Sequence, residues 1–330
     1  MSGLFSTYLL SRQSHLIAMQ ESGTLSSPIR TGYFNHPAFL QHHIDNKHPE
    51  SPERIAFIQK EIMDSGLVHK LVIANFDTNP EKYLQLVHSK EHILSIKSNT
   101  PIAHKVALAG VGASIAAVEQ VATNKVNNAF CASRPPGHHA MNSGREEGFC
   151  YYNNVAIATR FAQQYYGLNK ILIIDWDYHH GNATELTFYD DPNVLFFSTH
   201  DQYAYPGTGN PNRKGKGDGL GFNINVHLPC GTNDEKIVNA FERILIPAAD
   251  KFKPDLVLIS AGFDSRKDDL LGCFDVTDSG YEALTMIARK IAERHCDGRL
   301  ISVLEGGYNL KGIAKAVVAH VSVLLNMKTG

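Results

Sequence analysis

The sequence predicts an α/β protein: a single domain built on an open, mostly parallel sheet with helices on both faces. Short, almost wholly apolar runs rich in branched residues alternate along the chain with segments of helical periodicity. Such runs are typical of strands that are buried on both faces, as they are in parallel sheets. Alternation of these strands with helices favours a parallel sheet that is covered on both sides. The sequence contains neither internal repeats nor low-complexity linkers, so we expect one domain.

The predicted elements follow one another from residue 51. Ser51 and Pro52 form a helix start, and Ile55, Ile58 and Ile62 recur behind them at helical spacing. Later helices are predicted at residues 104–126, 153–166, 235–251, 281–295 and 310–327. The apolar runs between them predict strands at residues 129–132, 171–174, 194–197, 256–259 and 300–304.

Residues 1–30 differ from the main domain, which we place at residues 31–330. Scattered Ser and Thr and two short apolar clusters predict an N-terminal extension or arm. The apolar clusters permit a homo-oligomer that assembles through this arm. A cleaved organelle transit peptide is the alternative. A secretory signal is disfavoured because Arg12 follows the first apolar cluster instead of preceding it.

Composition narrows the classes of partner. The chain has 330 residues with 31 Lys and Arg against 33 Asp and Glu, so its net charge of -2 gives no electrostatic reason to bind nucleic acid or an acidic membrane. No apolar run approaches the roughly 20 residues that a membrane span requires. The five cysteines form no C-x-x-C pair and are an odd number, which favours a reducing, cytoplasmic location over a disulfide framework.

Polar and titratable residues follow each of the five predicted strands. In open α/β sheets, ligands bind at the carboxyl ends of the strands, so these residues are the candidates for a functional site. The candidates, in chain order, are His138 and His139, then Asp175, Asp177, His179 and Asn182, then Ser198 and Thr199, then Asp264, and finally Tyr308.

Asp177, His179 and Asp264 form a candidate metal site. Asp177 and His179 are two residues apart, so in extended chain their side chains point the same way and can converge on one cation. Asp264, from another strand end, would complete a site with three protein ligands and open positions, which is the arrangement of catalytic zinc. The spacing alone also suits iron, manganese or cobalt. An isolated D-x-H sequence is more often part of a loop, and here the surrounding residues favour the metal site.

The pair His138 and His139 follows two prolines and a glycine, which form a stiff loop. Two fixed imidazoles beside a metal suit proton transfer at neutral pH. Additional metal ligands or surface histidines are the alternatives. Asp175 and Asn182 are the natural partners that would fix the two tautomers, and a carboxylate behind one ring with an amide behind the other predicts unequal basicity.

Aromatic residues complete the candidate site. Tyr308 follows two glycines, so its hydroxyl could donate to a developing oxyanion opposite the metal. Phe149 and Tyr205 flank Gly148 and Pro206, and they could wall a narrow channel for a linear substrate. Ordinary packing in the core is the alternative for each of these rings.

Taken in chain order, the motifs at 134–139, 147–154, 175–182, 262–264 and 305–309 resemble those of the zinc-dependent histone deacetylase superfamily. This superfamily also contains acetylpolyamine amidohydrolases and acetoin-utilisation proteins. The resemblance runs from about residue 31 to the C-terminus, and Trp176, Asn182 and the sequence from Leu304 to Tyr308 are similar to class II. It implies a fold of the arginase and deacetylase type.

The resemblance also implies roles for the candidate residues. Asp177, His179 and Asp264 would bind zinc, His139 would be the general base and then the acid, and His138 would act electrostatically. Tyr308 would be the oxyanion donor, and Phe149 and Tyr205 would wall the channel. A structural potassium ion would use Asp175, Ser198, Thr199 and the carbonyls of Asp177 and His179. A second monovalent site would lie near Phe188, Asp191 and Val194.

The same resemblance indicates the substrate. Polyamine-specific members of class II carry a glutamate at the channel rim, where this sequence has Leu271. We therefore expect hydrolysis of acetylated or otherwise acylated lysine in proteins or peptides. The family's rim aspartate, which holds the substrate backbone, has no clear counterpart in residues 97–104. Acetylpolyamines or other small amides remain alternative substrates, and a catalytically weak module that binds acyl-lysine is the alternative function.

Overall fold

The computed structural model describes residues 29–45 and 47–326. Its centre is one eight-stranded sheet, in which the strand order is β2-β1-β3-β8-β7-β4-β5-β6 and every pair is parallel. This confirms the predicted open parallel sheet. The strands are β1 (Thr31–Phe34), β2 (Leu71–Ile73), β3 (Asn128–Cys131), β4 (Ile171–Asp175), β5 (Val194–His200), β6 (Asn223–His227), β7 (Leu256–Ala261) and β8 (Leu300–Leu304).

The register of the central strands aligns the ends that carry the candidate residues. Asp175, the last residue of β4, pairs with Ser198 of β5 on one side and with Ser260 of β7 on the other. Ala261, which ends β7, pairs with Leu304, which ends β8. Because the strands are parallel, the segments that follow β4, β7 and β8 leave the sheet at the same edge.

Helices cover both faces of the sheet. Those of eight or more residues are Glu53–Asp64, Lys90–Asn99, Pro101–Ala122, Asn154–Tyr166, Asp278–His295 and Leu310–Leu324. The last of these packs against Glu53–Asp64 and Asp278–His295, whereas Pro101–Ala122 packs against Asn154–Tyr166. Both groups contact the fully buried strands β7 and β8, so they lie on opposite faces.

The helices depart from the prediction in several places, and Lys90–Asn99 was not predicted at all. The predicted helix at 235–251 is divided into Asp234–Ala240, a π-helical turn at Phe241–Leu245, and Ile246–Phe252. Pro247 lies just after the turn and has no N–H to continue the helical ladder, which accounts for the interruption. The short helix Asn182–Phe188 was not predicted, because it directly follows the motif at 175–182 without a separate apolar pattern.

The sequence expectation that no segment is long and apolar enough to span a membrane is wrong for Pro101–Ala122. This helix has 22 residues and passes that test by its length and by the mean hydropathy of its apolar window. However, 78% of its apolar window is buried inside the protein, where it packs on β1, β3 and β8. Packing in the core therefore accounts for its composition.

Two of the five cysteines also depart from the expectation of reduced thiols. Cys230 and Cys273 are paired in a disulfide, with their Cα atoms 5.1 Å apart. The loops that carry them are held together by backbone bonds, such as the one from the Gly231 N–H to the Cys273 carbonyl at 2.7 Å. This proximity of residues 43 positions apart could not be read from the sequence. Cys131, Cys150 and Cys296 are buried free thiols.

The predicted N-terminal arm at residues 1–30 lies outside the described residues except for Ile29 and Arg30. Arg30 donates from its backbone N–H to Asn127 Oδ1 at 2.9 Å, directly before β1. The first strand begins at Thr31, and the domain boundary that we place there stays a prediction.

Candidate functional site

The metal-ligand candidates from two strand ends meet in space. His179 Nδ1 lies 3.2 Å from Asp177 Oδ1 and 3.1 Å from Asp264 Oδ2. One potential ligand atom from each of the three residues lies within 4.8 Å of the others, which is close enough to hold one metal ion. Asp177 and His179 follow β4 and Asp264 follows β7, so the parallel sheet brings them together across 85 or more residues of chain.

Backbone donors hold the two carboxylates in place. Asp177 Oδ2 accepts from the Gly306 N–H at 2.9 Å, and Asp264 Oδ1 accepts from the Tyr178 N–H at 2.8 Å. Gly306 is required here, because a Cβ atom at this position would overlap both carboxylates. The main chain therefore binds one oxygen of each carboxylate and leaves the other, Oδ1 of Asp177 and Oδ2 of Asp264, facing His179, which gives the cluster a defined geometry.

The electrostatics of the cluster suit a cation. Burial and the neighbouring Asp177 carboxylate raise the pKa of Asp264 to about 7. Ionising both carboxyl groups at the same time is therefore unfavourable. A dication between them would relieve this repulsion, and two carboxylates with one imidazole are a donor set that zinc accepts. The residues present thus fit the metal that the sequence resemblance implies.

His138 is buried against carboxylates. Its Nδ1 lies 3.1 Å from Asp175 Oδ2, and its Nε2 lies 3.7 Å from Asp177 Oδ1. Burial favours the neutral ring, but the charges of Asp177 and Asp175 outweigh it and raise the pKa of His138 well above its usual value. The surroundings of His138 therefore favour its protonated form.

His139 has a neutral partner. Its Nδ1 lies 2.7 Å from Asn182 Oδ1, and its ring centroid lies 3.9 Å from that of His138. Burial and the adjacent His138 lower the pKa of His139 well below its usual value. One ring thus has a carboxylate behind it and the other an amide, and their basicities are unequal, which is the arrangement that the sequence predicts.

Tyr308 lies at the end of a turn that follows β8. The ring is 5% exposed and contacts Phe149 edge-on at a centroid distance of 5.9 Å. The Arg54 guanidinium lies 5.0 Å from the ring centroid, and Arg54 also donates to the Gly307 and Glu305 carbonyls. The phenol therefore lines the site in an orientation that is fixed by its neighbours.

Sequence reasoning missed the role of Glu305. Its Oε2 atom accepts from the Gly137 N–H at 2.6 Å and the His138 N–H at 3.2 Å, so it fixes the loop that carries both histidines. Burial raises the pKa of Glu305 to about 7, and its other carboxylate oxygen has no partner in the described part of the chain. The available signal was an acidic residue directly after a buried, mostly apolar strand.

Sequence reasoning also missed a buried ion cluster below the site. Glu50 accepts from Arg134 Nη2 at 2.6 Å and from Arg54 Nη1 at 3.1 Å, and all three side chains are fully buried. Burial opposes ionisation of Glu50, yet the Arg134 charge lowers its pKa. The cluster fixes the first helix, which begins at Glu53, against the loop that follows β3.

A channel leads from the surface to the metal-ligand cluster. The cavity has a volume of about 430 Å³. All four predicted channel residues line it, namely Gly148, Phe149, Tyr205 and Leu271, together with His139, His179 and Tyr308. Tyr178 and Ala204 also line it and were not predicted. Gly148 is necessary because its φ is +53° and a Cβ atom would overlap the His139 ring.

Phe149 has an unusual backbone conformation. Its φ of 69° is in the left-handed region, which a bulky residue rarely adopts. The Glu146 carboxylate accepts from its N–H, and His48 contacts its ring edge-on at a centroid distance of 4.6 Å. Strained residues of this kind persist where surrounding contacts fix them, often at binding sites.

The residues considered for potassium are Asp175, which ends β4, and Ser198 and Thr199 in the neighbouring strand β5. Asp175, Ser198 and Thr199 are fully buried, and Ser198 Oγ lies 2.7 Å from His200 Nδ1. The Thr199 hydroxyl has no partner among the described residues. Near the second position, the Phe188 carbonyl accepts from the Asp191 N–H at 3.1 Å, and the Asp191 carbonyl accepts from the Val194 N–H at 3.3 Å.

Comparisons with known proteins agree with this geometry. A family model for the histone deacetylase domain matches residues 48–324. A probable deacetylase of Archaeoglobus fulgidus is 37% identical over 298 residues, which cover 86% of this chain and 82% of that protein. Histone deacetylase 14, chloroplastic, of Arabidopsis thaliana is 35% identical over 314 residues, covering 86% of this chain and 74% of that protein.

The fold has a close counterpart among solved structures. The crystal structure of the HDA15 HD domain superposes with a TM-score of 0.85 at 33% identity, covering 92% of this chain and 90% of that one. Sequence and fold therefore point to the same family. The chain belongs to the histone deacetylase family and is a deacetylase enzyme.

Proposed function

We propose that this deacetylase is a zinc-dependent amidohydrolase that removes acetyl or other acyl groups from lysine side chains of proteins or peptides and releases a carboxylate. The observation that carries the proposal is the convergence of Asp177, His179 and Asp264 at the end of a channel that also contains His139 and Tyr308. Zinc held by the three ligands would supply a Lewis acid that polarises the acyl carbonyl and acidifies a water molecule.

The two histidines divide the proton chemistry. Asn182 Oδ1 accepts from Nδ1 of His139, which leaves Nε2 of the neutral ring to take a proton from the attacking water. The neighbouring carboxylates raise the pKa of His138, which favours its cationic form and an electrostatic role beside the reacting centre. His139 then returns its proton to the departing amine, so acetate and the lysine amine are released.

Tyr308 stabilises the charge that develops on the substrate. Its hydroxyl donates to the carbonyl oxygen as that oxygen becomes negative during attack. Burial raises the pKa of Tyr308 well above its usual value, so the phenol keeps its proton and remains a donor. The walls formed by Phe149 and Tyr205 accept the linear aliphatic part of the substrate side chain.

The mouth of the channel supports lysine over polyamine substrates. Leu271 lines it and is 40% exposed, and none of the described residues that line this cavity is acidic. A polyamine inside the channel would therefore meet no carboxylate among the residues that line it. Only Thr100 separates the helices Lys90–Asn99 and Pro101–Ala122, so no long loop from this segment carries a rim aspartate.

We also propose one or two structural potassium ions, at Asp175, Ser198 and Thr199 and near Phe188. Burial of these polar groups beside the metal ligands and the unpartnered Thr199 hydroxyl support the first site. The cytoplasmic location, the homo-oligomer through residues 1–30 and the absence of nucleic-acid and membrane partners remain predictions.

The test is a substrate panel with the zinc-loaded protein. It compares an acetyl-lysine peptide, the same peptide with longer acyl chains, and an acetylated polyamine, with Tyr308→Phe as the inactive control. We expect turnover of a lysine peptide that falls sharply in the control. Preference for the polyamine would overturn the substrate assignment. No turnover of any substrate by a folded, zinc-containing protein would favour the module that only binds acyl-lysine.

A further inference from the structure

We infer that Asp269 is a positioning residue for Tyr308: its carboxylate fixes the turn that carries the oxyanion donor and connects this turn to the rim of the channel. The inference deepens the proposed function and rests on the role given to Tyr308 there. Asp269 does not line the channel itself, so it would act through the residues that it holds.

The contacts of Asp269 join two loops. Oδ2 accepts from the Tyr308 N–H at 2.7 Å and from the Asn309 N–H at 3.0 Å. Oδ1 accepts from the Leu271 N–H at 2.9 Å. A single partly buried carboxylate thus binds the donor turn after β8 and the rim residue after β7. Hydrogen bonds to an ionised acceptor are about twice as strong as neutral ones.

The turn needs such a partner because its two glycines place few limits on its backbone conformation. Tyr308 follows Gly306 and Gly307, which lack a Cβ atom to restrict their backbone angles, and Gly307 has a φ of +115°, which other residues rarely adopt. Arg54 holds the carbonyl side of this turn through Glu305 and Gly307. Asp269 accepts from the N–H groups of the turn. The backbone around Tyr308 is therefore bound by the Arg54 cation on one side and by the Asp269 carboxylate on the other.

The position of Asp269 also matches the helix that follows. Asn309 is the N-cap of Leu310–Leu324, and its Oδ1 accepts from the Gly312 N–H at 3.0 Å. The Asp269 charge lies where the positive end of this helix favours an anion. Removal of the carboxylate would leave the Tyr308 and Asn309 N–H groups without their acceptor, and the glycine turn would relax.

A displaced phenol has a specific kinetic consequence. Tyr308 donates to charge that develops only during the reaction, so a positioning defect lowers kcat and leaves KM nearly unchanged. For Asp269→Ala we expect kcat to fall by about 10²-fold, the scale of a 1 Å misplacement. Asp269→Asn keeps one acceptor oxygen, so it should restore part of this loss.

The matched control is Asp268→Asn. Asp268 is exposed, carries the same charge one residue earlier, and has a φ of 67° that asparagine tolerates. It contacts the turn through its backbone carbonyl, which accepts from Asn309 Nδ2 at 2.8 Å and which the substitution retains. We expect its kcat to stay within about twofold of the wild type, the scale of an exposed charge.

A double-mutant cycle distinguishes action through Tyr308 from general damage. In a Tyr308→Phe background there is no donor hydroxyl to position, so Asp269→Ala should lower kcat by less than about threefold. A further loss of about 10²-fold in that background would overturn the inference, because Asp269 would then act elsewhere. If Tyr308→Phe alone leaves kcat unchanged, the proposed role of Tyr308 fails instead.

Hydrogen exchange supplies a readout that does not depend on activity. The metal-free wild type is compared with metal-free Asp269→Ala, and the amides of residues 305–310 are followed by mass spectrometry. We expect the Tyr308 and Asn309 amides to exchange faster in the variant while the rest of the sheet is unchanged. Equal protection of these amides in the two proteins would contradict the proposed role of Asp269 in fixing this turn, whatever the results of the activity assays.

Discussion

At the scale of single residues, the hydroxyl of Tyr308 can be removed with little change to the contacts around it. Phenylalanine keeps the ring contacts with Phe149 and Arg54 and deletes one hydroxyl. We predict that Tyr308→Phe lowers kcat by about 10² to 10³, the scale of one lost oxyanion donor. Steady-state kinetics on an acetyl-lysine peptide check this, with zinc content as the control. A near-wild-type rate in a zinc-loaded variant would exclude the donor role.

Leu271 determines the charge that a substrate meets at the mouth. A glutamate at this position would attract the distant ammonium group of an acetylated polyamine. Because an exposed ion pair contributes at most about 1 kcal/mol, we predict that Leu271→Glu raises kcat/KM for the polyamine, relative to the lysine peptide, by about fivefold. The control is Leu271→Gln, which introduces a side chain of nearly the same size as glutamate but without its charge. An equal gain in both variants would show that size rather than charge governs selection.

The sequence predicts those site residues whose chemistry is visible in the side chain itself. Asp177, His179 and Asp264 follow apolar strands, and parallel pairing is enough to bring them to one edge. Glu305 and Asp269 were not predicted to act, because they work by accepting backbone N–H bonds from distant loops. Any residue can offer an N–H group, so such contacts leave no pattern in a single sequence.

At the scale of elements, the helix Leu310–Leu324 docks through a buried histidine. His320 is fully buried, and its ring nitrogens lie 2.7 Å from Thr285 Oγ1 and 2.9 Å from Ser302 Oγ. Burial lowers the pKa of His320 to about 3. The groups around it carry no charge, namely Thr285, Ser302 and the rings of Phe130, Trp176 and Phe263.

This predicts a defined pH dependence of stability. The folded pKa lies below the unfolded value of about 6.5, so the neutral ring stabilises the fold at high pH and this contribution is lost as the pH falls towards 3. Denaturant unfolding of wild type and His320→Gln should show a stability difference that narrows by about 1.5 kcal/mol between about pH 6.5 and pH 5. A constant difference would mean that the pKa of His320 is the same in the folded and unfolded states.

Sequence patterns predict the central elements better than the edges. The five predicted strands are fully buried, and all five are neighbours in the order β3-β8-β7-β4-β5. The strand β2 has three residues, two of them exposed, and β6 alternates with Asn223 and Asn225. Edge strands are paired on one side only, so their sequences need no continuous apolar run.

At the scale of the whole molecule, the metal site connects segments that are distant in the chain. Its ligands follow β4 and β7, and the loops after β3 and β8 pack around them through His138 and Gly306. A cation that binds the folded chain and not the unfolded one shifts the folding equilibrium by mass action. At a free zinc concentration 100 times its Kd, the free energy of unfolding should increase by about 2.7 kcal/mol.

We therefore predict that removal of zinc by a chelator lowers the melting temperature, and that readdition restores it. Asp264→Ala removes one of three ligands, so this variant should lose zinc and should melt at the same temperature with and without the metal. Asp268→Asn, four residues away and exposed, should keep the zinc-dependent shift of the wild type. Metal analysis and thermal unfolding measure both effects. Full zinc occupancy in Asp264→Ala would refute the ligand assignment, because the loss of one ligand must then leave the site intact.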